Sequence, residues 1–412
     1  MKYRELLTDY FVSAIAKASP RATLPAALPS DRPIGKTILL GYGKAAAEMA
    51  LVACEVLKGE VTGCVVTRHG HGVDLSLTGV EMIEARHPVP DTHGVAAAKR
   101  MLDLAASAGP DDRVIFLASG GGSSLLCAPA EGISLAQKQS ITDILVRSGL
   151  AIKDINLARR HLSRIKGGRL GAIAGARGAQ LITYVISDVA GDDPALLASG
   201  PSIAAAFEPD AALDVLRQAG IEVSEALERA IHSNHAAQCP AHQIYTLATN
   251  ADALEHIEVR ARADGWTIID AGRSLSGDAS EWGRNHAGLA LSYTETPGRH
   301  LMLSGGELTV KQAKSDGRGG PNLEYLTALL AELPPDAPIE ALAGDTDGID
   351  GTEENAGGYM AASMANWDLA RAALATNRCY DLFESLGGLI ITGPTRTNVN
   401  DIRMIAVEGP SG

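Results

Sequence analysis

The chain has 412 residues, of which 46% are hydrophobic, 21% charged and only 4% aromatic. That length exceeds one ordinary core and predicts two domains, and the composition excludes a disordered chain. A formal net charge of −13, with no basic tail or basic stripe interleaved with aromatics, argues against nucleic acid as a partner.

At the start of the chain, Tyr3, Leu7, Tyr10, Phe11 and Ala14 recur at helical spacing and predict an amphipathic helix. Charges of both signs in the first ten residues do not fit a signal peptide, and no apolar run reaches the ~20 residues of a membrane-spanning helix. A proline-rich connector, residues 20–33, follows. Residues 37–40, 63–67, 114–119 and 181–187 then read as buried strands, apolar and β-branched. Alanine-rich helical runs, including 94–106 and 135–147, separate them. This alternation predicts a parallel sheet with helices on both faces. It weakens over residues 233–240, which places a boundary between domains 1–235 and 236–412. The second half has candidate strands at 245–248, 267–270, 300–304, 339–343 and 388–392. Cys54, Cys64, Cys127, Cys239 and Cys379 are scattered and form no C-x-x-C pair. That pattern predicts a reducing, cytoplasmic setting and neither a zinc site nor a disulfide framework.

Ligands of open α/β sheets gather at the carboxyl ends of strands, and polar or glycine-rich turns follow several strands here. Residues 41–47 hold Gly41, Gly43 and Lys44 between a strand and a helix, the setting of an anion-binding turn. The spacing of Gly41, Gly43 and Ala46 also fits the loose dinucleotide fingerprint. The next strand, however, ends in Arg68 and not in the acidic residue that NAD needs. Residues 118–124 follow with Ser119, Gly120, Gly121, Gly122, Ser123 and Ser124, a run able to present amides and hydroxyls to an anion. No G-x-S-x-G elbow surrounds these serines, so a hydrolase nucleophile is disfavoured. Arg159, Arg160, His161, Arg164, Lys166 and Arg169 make one strongly basic segment in this acidic chain. Asp188 directly ends a strand, a position suited to holding Mg²⁺ or orienting a hydroxyl; Asp192 and Asp193 also read as helix caps. Arg318, between Gly317 and Gly319, reads as an uncovered phosphate-clamping arginine or a solvated loop residue. Asp345, Asp347 and Asp350 crowd one turn, where a cation or turn amides must offset their repulsion. His69, His71, His87 and His161 lack metal-ligand spacing and read as structural or substrate-facing.

These segments, in this order, resemble the glycerate 2-kinases, whose C-terminal part carries the MOFRL signature. The stretches that carry the resemblance are 41–46, 87–91, 119–124, 160–168, 187–192, 304–307, 317–322, 344–351 and 393–401. The resemblance implies an N-terminal Rossmann-like α/β/α domain with a mostly parallel sheet, a smaller C-terminal α/β domain and an active site in the cleft between them. It implies phosphorylation of the C2 hydroxyl of D-glycerate by ATP with Mg²⁺; the oligomeric state is left open between monomer and homodimer. Catalysis then falls to Lys44 and Arg318, with Asp188 as the first candidate for orienting the hydroxyl. Some members carry an arginine where this chain has Pro321, so the family offers two positions for that arginine. Gly41, Gly43, residues 119–124, Asp192, Glu307, Asn322, Asp345 and Asp347 become substrate or nucleotide contacts, and Asp188, Asp192 and Asp345 metal ligands. Many relatives carry the label hydroxypyruvate reductase, which keeps an NAD(P)H-dependent reductase as the rival reading, with a non-catalytic sugar-acid or phosphate sensor as the third.

Overall fold

The computed structural model describes residues 2–189, 191–235, 238–311 and 316–410. Two structural units emerge, Pro20–Leu247 and a second made of Met1–Ser19 with Ala248–Gly412.

The first unit is built on a six-stranded sheet: β1 (Thr37–Tyr42), β2 (Val61–Arg68), β3 (Val80–Ala85), β4 (Arg113–Ala118), β5 (Gln180–Ile186) and β6 (Gln243–Ala248). Their spatial order is β3-β2-β1-β4-β5-β6, the order of the doubly wound dinucleotide-binding folds. Neighbours from β3 through β5 run parallel. Helices Ala46–Val56 and Thr92–Ser107 pack against these strands through small residues such as Ala47, Ala50, Ala97 and Ala98, all fully buried. Because β1 and β4 are every-residue-buried strands, their apolar runs read clearly in sequence. The strand order reverses between β1 and β4, so their carboxyl-end loops flank the switch point where such sheets take ligands.

The second unit has a mixed sheet of β7 (Thr267–Asp270), β8 (Leu275–Asp278), β9 (Arg299–Thr309), β10 (Ile339–Asp345), β11 (Gly357–Ala361), β12 (Leu389–Ile390) and β13 (Asp401–Glu408). The order is β12-β11-β10-β13-β9-β7, with β8 also paired to β9. The β10–β11, β10–β13 and β13–β9 pairs are antiparallel, and β7 and β8 run parallel to β9. Its core joins Leu323, Leu326, Leu329 and Leu330 of helix Pro321–Glu332 to Ala341, Met360 and Ile405 of the sheet.

This partition corrects the domain expectation at both ends. The helix Arg4–Lys17 buries Leu7, Tyr10, Phe11 and Ala14, and the Tyr10 hydroxyl donates to Asp264 at 2.5 Å. It therefore belongs with the second unit. The expected boundary at 235/236 adjoins residues 236–237, which lie outside the described residues. The division instead falls at the end of β6, because that strand completes the first sheet; it had been assigned to the second domain.

Candidate active site

The loops after β1 and β4 lock together. The Lys44 amide donates to the Gly120 carbonyl at 2.8 Å, and the Ala45 amide donates to Ser119 Oγ at 2.9 Å. Gly43 has φ +123°, and a Cβ there would overlap the carbonyl and hydroxyl oxygens of Ser119. Only glycine meets both constraints. Gly43→Ala is therefore expected to destabilise the protein by about 2–4 kcal/mol, seen as a lower melting temperature; an unchanged melt would show that the contact is dispensable.

This arrangement corrects part of the sequence reading. The turn amides of Lys44 and Ala45 are already bonded, so they do not form an open cradle for a pyrophosphate. Gly41, Gly43, Ser119, Gly120, Gly122 and Ser124 are buried, and Ser124 Oγ donates back to the Gly121 carbonyl at 3.2 Å. Lys44, Gly121 and Ser123 are the half-buried members. Gly121 is left-handed at φ +79°, and the place of its absent Cβ lies 3.3 Å from Lys44 Cγ and 3.1 Å from the His87 ring. Lys44 and His87 thus flank one glycine.

The basic segment at 159–169 reaches this loop. Lys166 is 1% exposed, and its ammonium donates to Ser123 Oγ at 2.8 Å and the Ala198 carbonyl at 2.9 Å. Ser123 in turn bonds Ser199 at 3.1 Å, which donates to Asn156 at 3.3 Å. Ala198 and Ser199 have φ near +51° and +60°, conformations that cost about 1–3 kcal/mol each and concentrate at functional sites. Buried Lys138 donates to the Leu162 carbonyl at 3.1 Å, and buried Arg169 donates to the carbonyls of Lys166 and Asn234. Among the described residues, no carboxylate lies within ion-pair distance of Lys138, Arg159, Lys166 or Arg169. Burial pushes Lys138 down to about 8 and Arg169 to about 10. Burial, with Arg159 and Lys138 adding to it, holds Lys166 well below the ordinary lysine range. Buried cations without carboxylates are costly, and an anion from solution would relieve that cost. Lys166 was visible in the sequence only as one member of a dense basic run; its burial beside Ser123 could not be read there.

Asp188 and Asp192 are both half-buried in the loop after β5. Asp193 Oδ1 accepts from the Ala195 amide at 2.9 Å, a turn cap.

In the second unit, Asp345 Oδ1 accepts from the Asp347 amide at 2.9 Å and Asp347 Oδ1 from the Ile349 amide at 2.8 Å. These are Asx-type turns, and Asp347 is fully buried. Asp350 accepts from the amides of Asn322 and Leu323 at 3.0 and 2.9 Å, capping helix Pro321–Glu332 from a distant loop. Asn322, also expected to meet the nucleotide, is 1% exposed and donates to Asp401 at 2.8 Å. Arg318 is not the uncovered cation expected of it. Its guanidinium donates to Glu353 at 3.0 and 3.2 Å and to Asp381 at 2.6 Å, and it lies 4.6 Å from the Tyr380 ring centre. Arg318, Glu307 and Glu324 line a recess of about 370 Å³. The expected metal ligands are likewise divided, with Asp188 and Asp192 in one unit and Asp345 in the other.

Glu324 is 5% exposed, and burial raises its carboxyl to about 7, partly offset by a hydrogen bond from Asn377. A raised carboxyl binds its proton more tightly in the fold, so it withdraws stability as pH rises from about 4.5 to 7. Glu324→Gln should match the parent at pH 5 and exceed it by about 2 kcal/mol at pH 8. Melting curves at the two pH values check this; an advantage independent of pH would contradict it.

Comparison with known proteins finds two family matches. Residues 6–232 match a domain described as of unknown function, DUF4147, and residues 300–401 match the MOFRL family. The chain is 35% identical to the D-glycerate 2-kinase of Thermotoga maritima, covering 97% of each chain. It is 32% identical to the glycerate 2-kinase of Pyrococcus horikoshii, covering 100% of this chain and 99% of that one. It is also 39% identical to a putative hydroxypyruvate reductase of Agrobacterium vitis, over 98% of this chain and 94% of the relative. The crystal structure of a glycerate kinase from Thermotoga maritima superposes with a TM-score of 0.84 at 32% identity, covering 98% of this chain and 99% of that one. Sequence and fold agree over essentially the whole length, and the chain belongs to the MOFRL-containing glycerate 2-kinase family.

Proposed function

We infer that this protein is a glycerate 2-kinase, which transfers the γ-phosphoryl group of ATP to the C2 hydroxyl of D-glycerate and yields 2-phosphoglycerate and ADP. The observation that carries this reading is the buried cation cluster beside Ser123 in the loop after β4, which has no carboxylate partner among the described residues. A kinase acting on a carboxylate-bearing alcohol must hold two anions, and in-line phosphoryl transfer is mostly positioning and charge stabilisation. Lys44 is assigned to the transferring phosphoryl group. Lys166, with Ser123 and Arg159, is assigned to the glycerate carboxylate. Asp188 would orient the C2 hydroxyl or, with Asp192, hold Mg²⁺: the two offer only oxygen donors, the type that ion takes. Bound Mg²⁺ would supply neutralisation of the nucleotide phosphates. The clamping role expected of Arg318 requires that Glu353 and Asp381 release it to phosphate.

The reductase label carried by some relatives finds no matching feature here. A dinucleotide would need the amides of the first turn, which are bonded to Ser119 and Gly120, and an acid after β2, which ends in Arg68. An ADP-release assay with a panel of alcohols tests the carboxylate assignment. D-Glycerate should support turnover and glycerol should not; equal turnover of the two would refute an anion site for the acceptor.

A further inference from the structure

Histidine spacing in the sequence pointed away from metal ligands, but the fold joins two histidines that are distant in sequence. His69 follows the carboxyl end of β2, and Asp91 and His93 open the helix Thr92–Ser107. One ligand-capable atom from each of the three lies within 4.8 Å of the others. The two imidazole rings meet edge to face with centres 5.9 Å apart.

The surrounding carboxylates are already placed to orient these donors. Glu84 Oε1 accepts from the amides of Gly70 and Gly72 at 3.2 and 3.1 Å. Its Oε2 lies 3.6 Å from His69 Nδ1. That is an ion-pair distance and not a hydrogen bond; closing it on metal binding would hold a proton on Nδ1 and leave Nε2 as the lone-pair donor, the carboxylate–histidine pairing found behind metal-bound imidazoles. Asp91 is fixed by the Gly94 amide at 3.0 Å on Oδ1, and its Oδ2 lies 3.2 Å from His93 Nδ1. Both histidine side chains are more than half exposed, so an ion can enter without any opening of the fold.

We propose that His69, Asp91 and His93 form a site for a divalent transition metal of the zinc type, with Glu84 as the positioning carboxylate behind His69. Two imidazole nitrogens and one carboxylate oxygen are a borderline donor set, which zinc takes in three-ligand sites that leave a position for water. Mg²⁺ prefers oxygen donors alone, so this donor set does not suit the metal of a nucleotide. A bound ion would tie the end of β2 to the start of the helix across residues 86–91, the segment that sets the His87 ring beside Gly121.

The test is titration of the full-length, tag-free protein with Zn²⁺ alone, followed by Co²⁺ absorption spectroscopy. The expected result is one saturable equivalent with visible d–d bands and no thiolate charge-transfer band. Affinity should fall more than 10-fold in His69→Ala and in His93→Ala, and about 10–100-fold in Glu84→Gln. The two histidines lie at the surface and Glu84 is half-buried, so melting curves check that each variant folds. Absence of saturable binding, binding unchanged in both histidine variants, or a thiolate band placing the metal on cysteine would each overturn the proposal.

Discussion

Replacing Lys44 with alanine is expected to lower kcat by about 10³-fold at saturating ATP and D-glycerate. The figure follows from the loss of one transition-state cation on a transferring phosphoryl group, which corresponds to about 4 kcal/mol of barrier. The geometry separates this effect from misfolding. Lys44 is the half-buried member of a run, residues 41–50, that is otherwise buried, and its backbone amide bond to Gly120 does not depend on its side chain. Lys44→Ala should therefore melt near the parent temperature while losing turnover. Near-normal turnover would remove Lys44 from the chemistry.

Replacing Lys166 with methionine should move activity and stability in opposite directions. Methionine keeps the volume of the side chain and removes the amine. The lost charged hydrogen bond to the substrate anion predicts kcat/KM for glycerate down by roughly 10–150-fold, from about 1.5–3 kcal/mol. The KM for ATP should change little. Stability should be unchanged or slightly raised, because a buried cation without a carboxylate partner is removed. The bonds to Ser123 and Ala198 are the opposing loss. The pH dependence adds a second signature. Burial holds the amine well below its ordinary range, and a bound anion favours its charged form. The KM for glycerate should then rise with pH in the parent, and this rise should flatten in Lys166→Met. A variant with parental KM and the same pH profile would dismiss Lys166 from substrate binding.

Much of the fold was legible where one physical signal dominated. The strands β1, β4 and β5 are apolar because both faces are covered, and their switch-point loops announced themselves through glycine. The strand β13 was missed because Asp401 and Arg403, both buried, pair with each other inside the sheet; in sequence they read as polar surface. The helix Arg4–Lys17 was recognised from its periodicity, but periodicity carries no information about which core receives the apolar face. The site was legible in outline and misread in detail. Glycine and serine runs implied open amides, whereas the amides of Lys44, Ala45 and Ser124 bond within the two loops. The aspartates of the 344–351 turn implied a cation, whereas turn and helix amides satisfy them. Glycines beside Arg318 implied an uncovered cation, whereas Glu353, from a loop, and Asp381, from the helix Cys379–Ser385, come from segments remote in sequence. Lys166 and the histidine pair depend on contacts between distant segments, which spacing in one chain does not encode.

The most direct measurement is a coupled ADP-release assay on purified protein with D-glycerate, with the product read by phosphorus NMR. The account predicts ADP formation dependent on D-glycerate and a resonance of 2-phosphoglycerate. Formation of 3-phosphoglycerate, or no ADP release together with steady oxidation of NADH or NADPH by hydroxypyruvate, would contradict it.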